Sequence, residues 1–129
     1  MNQDKVAEFH RVFKVDNGPR TSQTYSACCI FRAALIVEEA HELAVALRSA
    51  EITEIVKETG DLLYVVYGTA VSLGFDADLA LARIHESNMS KLSMDGYPLK
   101  RADGKILKGR FYQEPDLDFL KNYSYWGDQ

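Results

Sequence analysis

The chain of 129 residues is the size of one domain, with 47% hydrophobic and 26% charged side chains and a formal net charge of −4. That balance argues against a general nucleic-acid binder, whose surface is basic, and leaves a small core that oligomerisation would enlarge. No apolar run approaches the ~20 residues needed to span a bilayer, and Asp4, Lys5, Glu8 and His10 interrupt any signal peptide, so a cytoplasmic protein with no membrane partner and no stable nucleic-acid binding is expected.

Val6, Phe9, Val12 and Phe13 recur at helical spacing and predict a first helix over about residues 3–15. Asn17-Gly18-Pro19 breaks it, and the polar run from Arg20 to Thr24 reads as a connection. A segment rich in Ala, Leu, Glu and Arg predicts a long second helix over about 25–49. Within it the adjacent Cys28 and Cys29 do not pair with each other and read as small buried residues in a reducing compartment. After an interruption near Ser49–Thr53 a third helix runs to about Leu73, where Gly74 suits its C-terminal cap. Asp76 suits the N-cap of a fourth helix over about 77–92.

Beyond Ser93 the character changes. Asp95-Gly96, Pro98 and Asp103-Gly104 are turn formers, and Lys100, Arg101, Lys105, Lys108 and Arg110 make this the most basic stretch. It predicts a short hairpin or irregular arm, followed by a last short helix within residues 115–126. The fold class expected is all-α, in one domain over 1–129, with a helical core over about 3–93 and an arm and tail over about 94–129.

The chemistry lies in the helices. Around Glu38, the residues Ala27, Phe31, Ala34, Leu35, Glu42 and Val45 fall within about 60° on a helical wheel, and Glu39 lies about 100° round. Glu38 and Glu42 therefore sit in an apolar stripe. In the third helix Ile55, Leu62, Val65 and Thr69 lie within about 60° of Glu58, with Asp61 about 60° to one side. Solitary buried carboxylates become protonated, and converging ones repel. Divalent cations answer both problems, and oxygen-only ligands select hard ions, Mg²⁺ or Mn²⁺. The same ions would reconcile an acidic chain with a polyphosphate. Gly60, unfavourable inside a helix, is expected to mark close helix approach beside Glu58 and Asp61. Solvated helix faces are the plain alternative for any one of these acids. Glu38-Glu39-Ala40-His41 also spells the Glu-x-x-His of di-iron bundles, but these need the motif twice, and His10 and His85 follow Ala7 and Ala82. A structural or outer role suits His41 better.

Glu38-Glu39-Ala40-His41-Glu42 followed by Glu58-Thr59-Gly60-Asp61 resembles the E-E-x-x-E … E-x-x-D signature of the all-α NTP pyrophosphatases, the superfamily of MazG, dimeric dUTPases and phosphoribosyl-ATP pyrophosphohydrolase. Asn88-Met89-Ser90-Lys91, Asp95-Gly96 and Asp103-Gly104-Lys105-Ile106-Leu107-Lys108-Gly109 resemble a short MazG-like subgroup of bacteria and phages. The resemblance implies a helical bundle completed by homodimerisation, sometimes doubled into a tetramer. It implies two or three Mg²⁺ or Mn²⁺ ions per site, and water attack at the α-phosphate of a nucleoside triphosphate to give monophosphate and pyrophosphate. Glu38, Glu42, Glu58 and Asp61 would hold metal, and Glu39 would orient or deprotonate the water. Asn88 and Lys91 would meet the nucleotide, with Lys105, Lys108 and Arg110 on its phosphates. Tyr112 and Trp126 are candidates for stacking on a base, although packing suits them better. A purine dNTP, dGTP first, is the expected substrate. A dUTP- or dCTP-directed enzyme, phosphoribosyl-ATP hydrolysis, a non-catalytic nucleotide- or metal-binding module and a purely structural helical protein are the alternatives.

Overall fold

The structure, a computed structural model, describes residues 1–15, 21–92, 95–121 and 123. Among them are four α-helices, α1 (Asn2–Val12), α2 (Ser22–Ser49), α3 (Ile52–Leu73) and α4 (Ala77–Met89), a 3-10 turn at Asp118–Leu120, and no strand. The all-α class expected from the sequence is what the structure has. No single helix among the described residues is long and apolar enough to cross a membrane.

The helix ends follow from local chemistry. Lys14 adopts a left-handed φ of 53° and the Val15 N–H returns to the His10 carbonyl at 2.8 Å, so α1 ends at Val12, short of the predicted boundary. The predicted breaker Asn17-Gly18-Pro19 lies outside the described residues. α2 begins at Ser22, earlier than expected. Thr21 caps it by accepting the Thr24 N–H at 3.3 Å, and the Thr24 hydroxyl donates back to the Thr21 carbonyl. Residues read as a polar connection are thus a cap and a first turn. The break between α2 and α3 is only Ala50 and Glu51. Ala50 takes φ 55°, and the Glu51 carboxylate accepts the Thr53 N–H at 3.0 Å to start α3. Gly74 ends α3 in the left-handed region, φ 80°, with its N–H on the Ala70 carbonyl, as a C-terminal glycine should. The Gln3 side chain then bridges the turn, donating to the Phe75 carbonyl and accepting the Ala77 N–H.

The chain forms two compact units, Met1–Ala77 with Tyr123, and Asp78–Asn122. In the first, α3 is the central helix, packed by both α1 and α2. Phe9 stacks on Phe13 and meets Tyr64 edge-on, with ring centroids 5.5 Å apart, which seats α1 on α3. The face of α2 turned to α3 carries Cys28, Arg32, Leu35, Glu39 and Ala46. Arg32, 6% exposed, crosses to α3 and donates from Nε to the Thr69 hydroxyl and from Nη2 to the Val65 carbonyl. Gly68 makes room for it, since a Cβ there would run into Arg32 Nη2 and press on His10 Nε2.

This orientation differs from the sequence reading of α2. Phe31, Glu38, Glu42 and Val45 are exposed in the single chain. The helix is apolar nearly all round, so periodicity alone does not select the face that meets α3. Ile30, Phe31, Val37, Ile52 and Val56 are all more than half exposed, large apolar side chains left to water in the single chain. Gly60 also departs from expectation. A Cβ there would touch nothing within 4 Å, because Gly60 lies about 200° round α3 from Glu58, away from α2. Gly68 is the glycine of close approach.

In the second unit, α4 grips the following segment. Ser87 donates to the Gln113 carbonyl at 2.7 Å, and Ser90 accepts the Gln113 N–H at 2.9 Å. An isolated antiparallel bridge joins Lys100 to Ile106. Of the short helix predicted within 115–126, the described residues show only the 3-10 turn at Asp118–Leu120.

Candidate functional site

Glu39 is on the α3-facing side of α2, and Glu58 and Asp61 are i,i+3 neighbours on α3. Their helices bring one carboxylate oxygen from each within 4.8 Å of the others. Glu58 is 7% exposed, while Glu39 and Asp61 are half-buried. Oε2 of Glu39 and Oε2 of Glu58 are buried and have no hydrogen-bond partner.

The electrostatics are those of crowded acids. Lys57 Nζ lies 2.9 Å from Glu58 Oε1 and 3.0 Å from Asp61 Oδ2. Its bond to Glu58, then that to Asp61, holds the ammonium above the ordinary lysine range. Glu42 is on the same wall. Repulsion from Glu39, followed by desolvation and the nearness of Glu58, raises its carboxyl above the usual carboxylate range. Glu38 is exposed and reaches the group only as a further charge acting on Glu42. Beside the acids an open cleft of about 260 Å³ is lined by His41, Glu42, Val45, Ala46, Glu54 and Glu58.

Two buried carboxylate oxygens without donors are expensive unless something positive meets them. Lys57 satisfies other oxygens, Glu58 Oε1 and one of Asp61, and leaves the orphaned pair without a donor. Three carboxylates at this separation, with no nitrogen or sulfur donor among them, fit a hard divalent cation.

Of the acids singled out in the sequence, the structure thus draws Glu39, Glu58 and Asp61 into one group, sets Glu42 against it and leaves Glu38 at its margin. Lys57, Glu54 and Arg32 escaped the sequence reading. Lys57 had a visible signal, since it directly precedes Glu58 and stands four residues before Asp61.

The remaining candidates belong to the second unit. Asn88 is exposed on α4, and Lys91, half-buried, follows its end. The Lys91 carbonyl lies so near Gly109 that a Cβ there would approach it to 3.0 Å, so the helix end and the arm meet at these two backbones. Lys105, Lys108 and Arg110 are exposed. Lys108 sits 3.8 Å from Glu114 and 4.5 Å above the Tyr112 ring, and the Arg110 guanidinium lies 6.0 Å from the Phe111 ring. Trp126 lies outside the described residues.

Helices that carry paired acid motifs into one oxygen-lined group can be compared with known proteins. The family model described as phosphoribosyl-ATP pyrophosphohydrolase matches residues 6–88, more than half of the chain. The chain belongs to that family, and through it to the MazG-like all-α NTP pyrophosphatase superfamily. It is also 33% identical over 108 residues to an uncharacterized protein of Acanthamoeba polyphaga mimivirus. That alignment covers 75% of this chain and 38% of the viral protein, so the chain spans well under half of that relative's length.

Proposed function

We propose that the chain is a metal-dependent nucleoside triphosphate diphosphohydrolase that converts a (d)NTP and water to (d)NMP and pyrophosphate, with a purine dNTP such as dGTP as substrate. The observation that carries this reading is the juxtaposition of Glu39, Glu58 and Asp61 with two buried oxygens lacking donors. Glu58, Asp61, Glu42 and Glu38 hold Mg²⁺ or Mn²⁺, and Glu39 orients the attacking water and takes its proton. A bound divalent ion supplies neutralisation of phosphate charge and a lower pKa for coordinated water. No covalent nucleophile is required.

Asn88 and Lys91 meet the nucleotide, and Lys105, Lys108 and Arg110 hold its phosphates as mobile or forked cations. A second copy of the chain covers the apolar surface around Ile30, Val37 and Val56 and completes the bundle as a dimer, alone or paired into a tetramer. A cytoplasmic setting agrees with the two free cysteines.

The test is a panel of ribo- and deoxynucleoside triphosphates with Mg²⁺ or Mn²⁺, products resolved by chromatography. Monophosphate and pyrophosphate in one step are expected. Diphosphate with orthophosphate as the main products would sink the mechanism. The family match favours phosphoribosyl-ATP as a second candidate, and it belongs in the same panel.

A further inference from the structure

Arg32 is a buried cation without an anion. Burial lowers its pKa below the ordinary arginine value, and no carboxylate among the described residues pairs with it. Nε and one N–H of Nη2 are used on Thr69 and Val65. Nη1 has no protein partner among the described residues, so the outer edge of the fork, Nη1 with the second N–H of Nη2, still has donors to place. Nη1 is not among the buried unpaired atoms, so this edge is open to whatever occupies the adjoining cavity.

The residue also lines an open cavity of about 310 Å³ with Thr24, Ala27, Cys28, Phe31 and Ser72. The walls are mostly apolar, with two hydroxyls and one aromatic ring. Such a composition suits a flat heteroaromatic ligand held by a few polar contacts.

Its position relates it to the acids. Arg32 and Glu39 are seven residues apart, hence on the same face of α2 and about 10 Å apart along the axis. Val65, which receives Nη2, stands in the same relation to Glu58 on α3, again about 10 Å by the helical rise. A comparable span separates the α-phosphate of an extended purine nucleotide from the far edge of its base.

We infer that Arg32 is the base-reading residue, donating from its free edge to O6 and N7 of guanine while Phe31 stacks on the ring. The chemistry selects guanine. A guanidinium edge requires two adjacent acceptors, and guanine offers that pair on one side. Adenine places an amino donor where O6 would be, and the like donors repel. This inference rests on the proposed nucleotide substrate and goes beyond it by assigning the residue that sets the base.

The experiment compares dGTP with 7-deaza-dGTP, which lacks the N7 acceptor, in the wild-type chain and in Arg32→Lys. Wild type is expected to lose about 5- to 150-fold in kcat/KM on the deaza substrate, the range for one good fork contact. In Arg32→Lys, which retains the charge and loses the fork, the ratio of the two substrates should collapse towards one. A merely structural arginine lowers both rates together and leaves the ratio intact, which overturns the inference. If Arg32→Lys fails to fold, the wild-type ratio decides, and a value near one overturns it. If no triphosphate is hydrolysed, the proposed activity fails on its own, and calorimetric binding of dGMP to both proteins decides the role of Arg32. Weaker dGMP binding to the variant upholds it, and equal binding overturns it.

Discussion

The ammonium of Lys57 lies 2.9 Å from a carboxylate oxygen of Glu58, its neighbour in sequence, and 3.0 Å from Asp61 one turn on. The lysine is thus the counter-charge that the folded acids already possess. Its raised pKa means that its contribution to stability is complete below the ordinary lysine value and is lost only as pH rises through the folded one. At neutral pH it is fully present, and because the side chain is 60% exposed solvent screens it to a small effect. A divalent ion entering the group meets a like charge. Lys57→Gln should therefore bind Mn²⁺ several-fold more tightly, by titration calorimetry, and melt slightly lower in EDTA. Equal Mn²⁺ affinity in both proteins would show that Lys57 swings clear of the ion.

The four acids assigned to the metal should each matter to turnover. Glu58→Gln and Asp61→Asn are expected to remove at least the roughly 10–100-fold of activity that even an outer partner of a metal site supplies. Glu39→Gln should do the same if that carboxylate handles the water. Glu58→Gln should also raise the melting temperature of the metal-free protein, because it deletes a buried charge with an orphaned oxygen. Turnover like wild type in any two of Glu38→Gln, Glu42→Gln, Glu58→Gln and Asp61→Asn rejects the ligand assignment.

Glu42 gives the metal-free protein a pH dependence of definite sign. Its folded pKa is raised, so the fold holds its proton better than the unfolded chain does. Stability is therefore greater below the ordinary glutamate value, about 4.3, and declines as pH rises through the folded value. Melting curves of EDTA-treated wild type and Glu42→Gln should converge at the acid end and diverge above it, with the variant higher. Parallel curves across the window would count against the crowding described here. Added Mn²⁺ should reverse the order.

The arm lysines give a kinetic prediction. Among the described residues Lys108 meets only an exposed ion-pair partner, Glu114, and the Tyr112 ring, contacts of about 1 kcal/mol or less. Lys108→Ala and Lys105→Ala should therefore fold normally, and if they hold phosphate they raise KM alike for every accepted base. Steady-state kinetics on dGTP and dATP decide. A changed ranking of the two would place the arm at the base and contradict the assignment of that role to Arg32.

The helical class and the inward face of α3 were legible because Glu58 recurs with Ile55, Leu62, Val65 and Thr69 at a period that only a helix satisfies. The inward face of α2 was not, since the stripe around Glu38 and the face through Cys28, Glu39 and Ala46 are only about 80° apart and share Leu35. Gly60 misled for a related reason. Nearness in sequence to Glu58 and Asp61 says nothing about direction, and two residues along a helix is more than half a circle. Arg32 was hidden by its own chemistry, because a charged residue inside an apolar run reads as a solvated interruption until the structure shows its partners. The start of α2 was lost to composition, since Thr21 and Thr24 look like linker residues and act as a cap.

Gly68 carries a consequence for how such a chain can change over generations. The missing side chain is the berth of the Arg32 guanidinium, so a larger residue at 68 displaces the fork from its Val65 and Thr69 acceptors. Drift at the two positions is then ordered as well as linked. A shorter residue at 32 leaves 68 free to grow, whereas growth at 68 first breaks the arginine's contacts with α3. Among relatives, chains that have replaced the arginine should be the ones in which alanine or serine stands at 68, and the reverse combination should be missing.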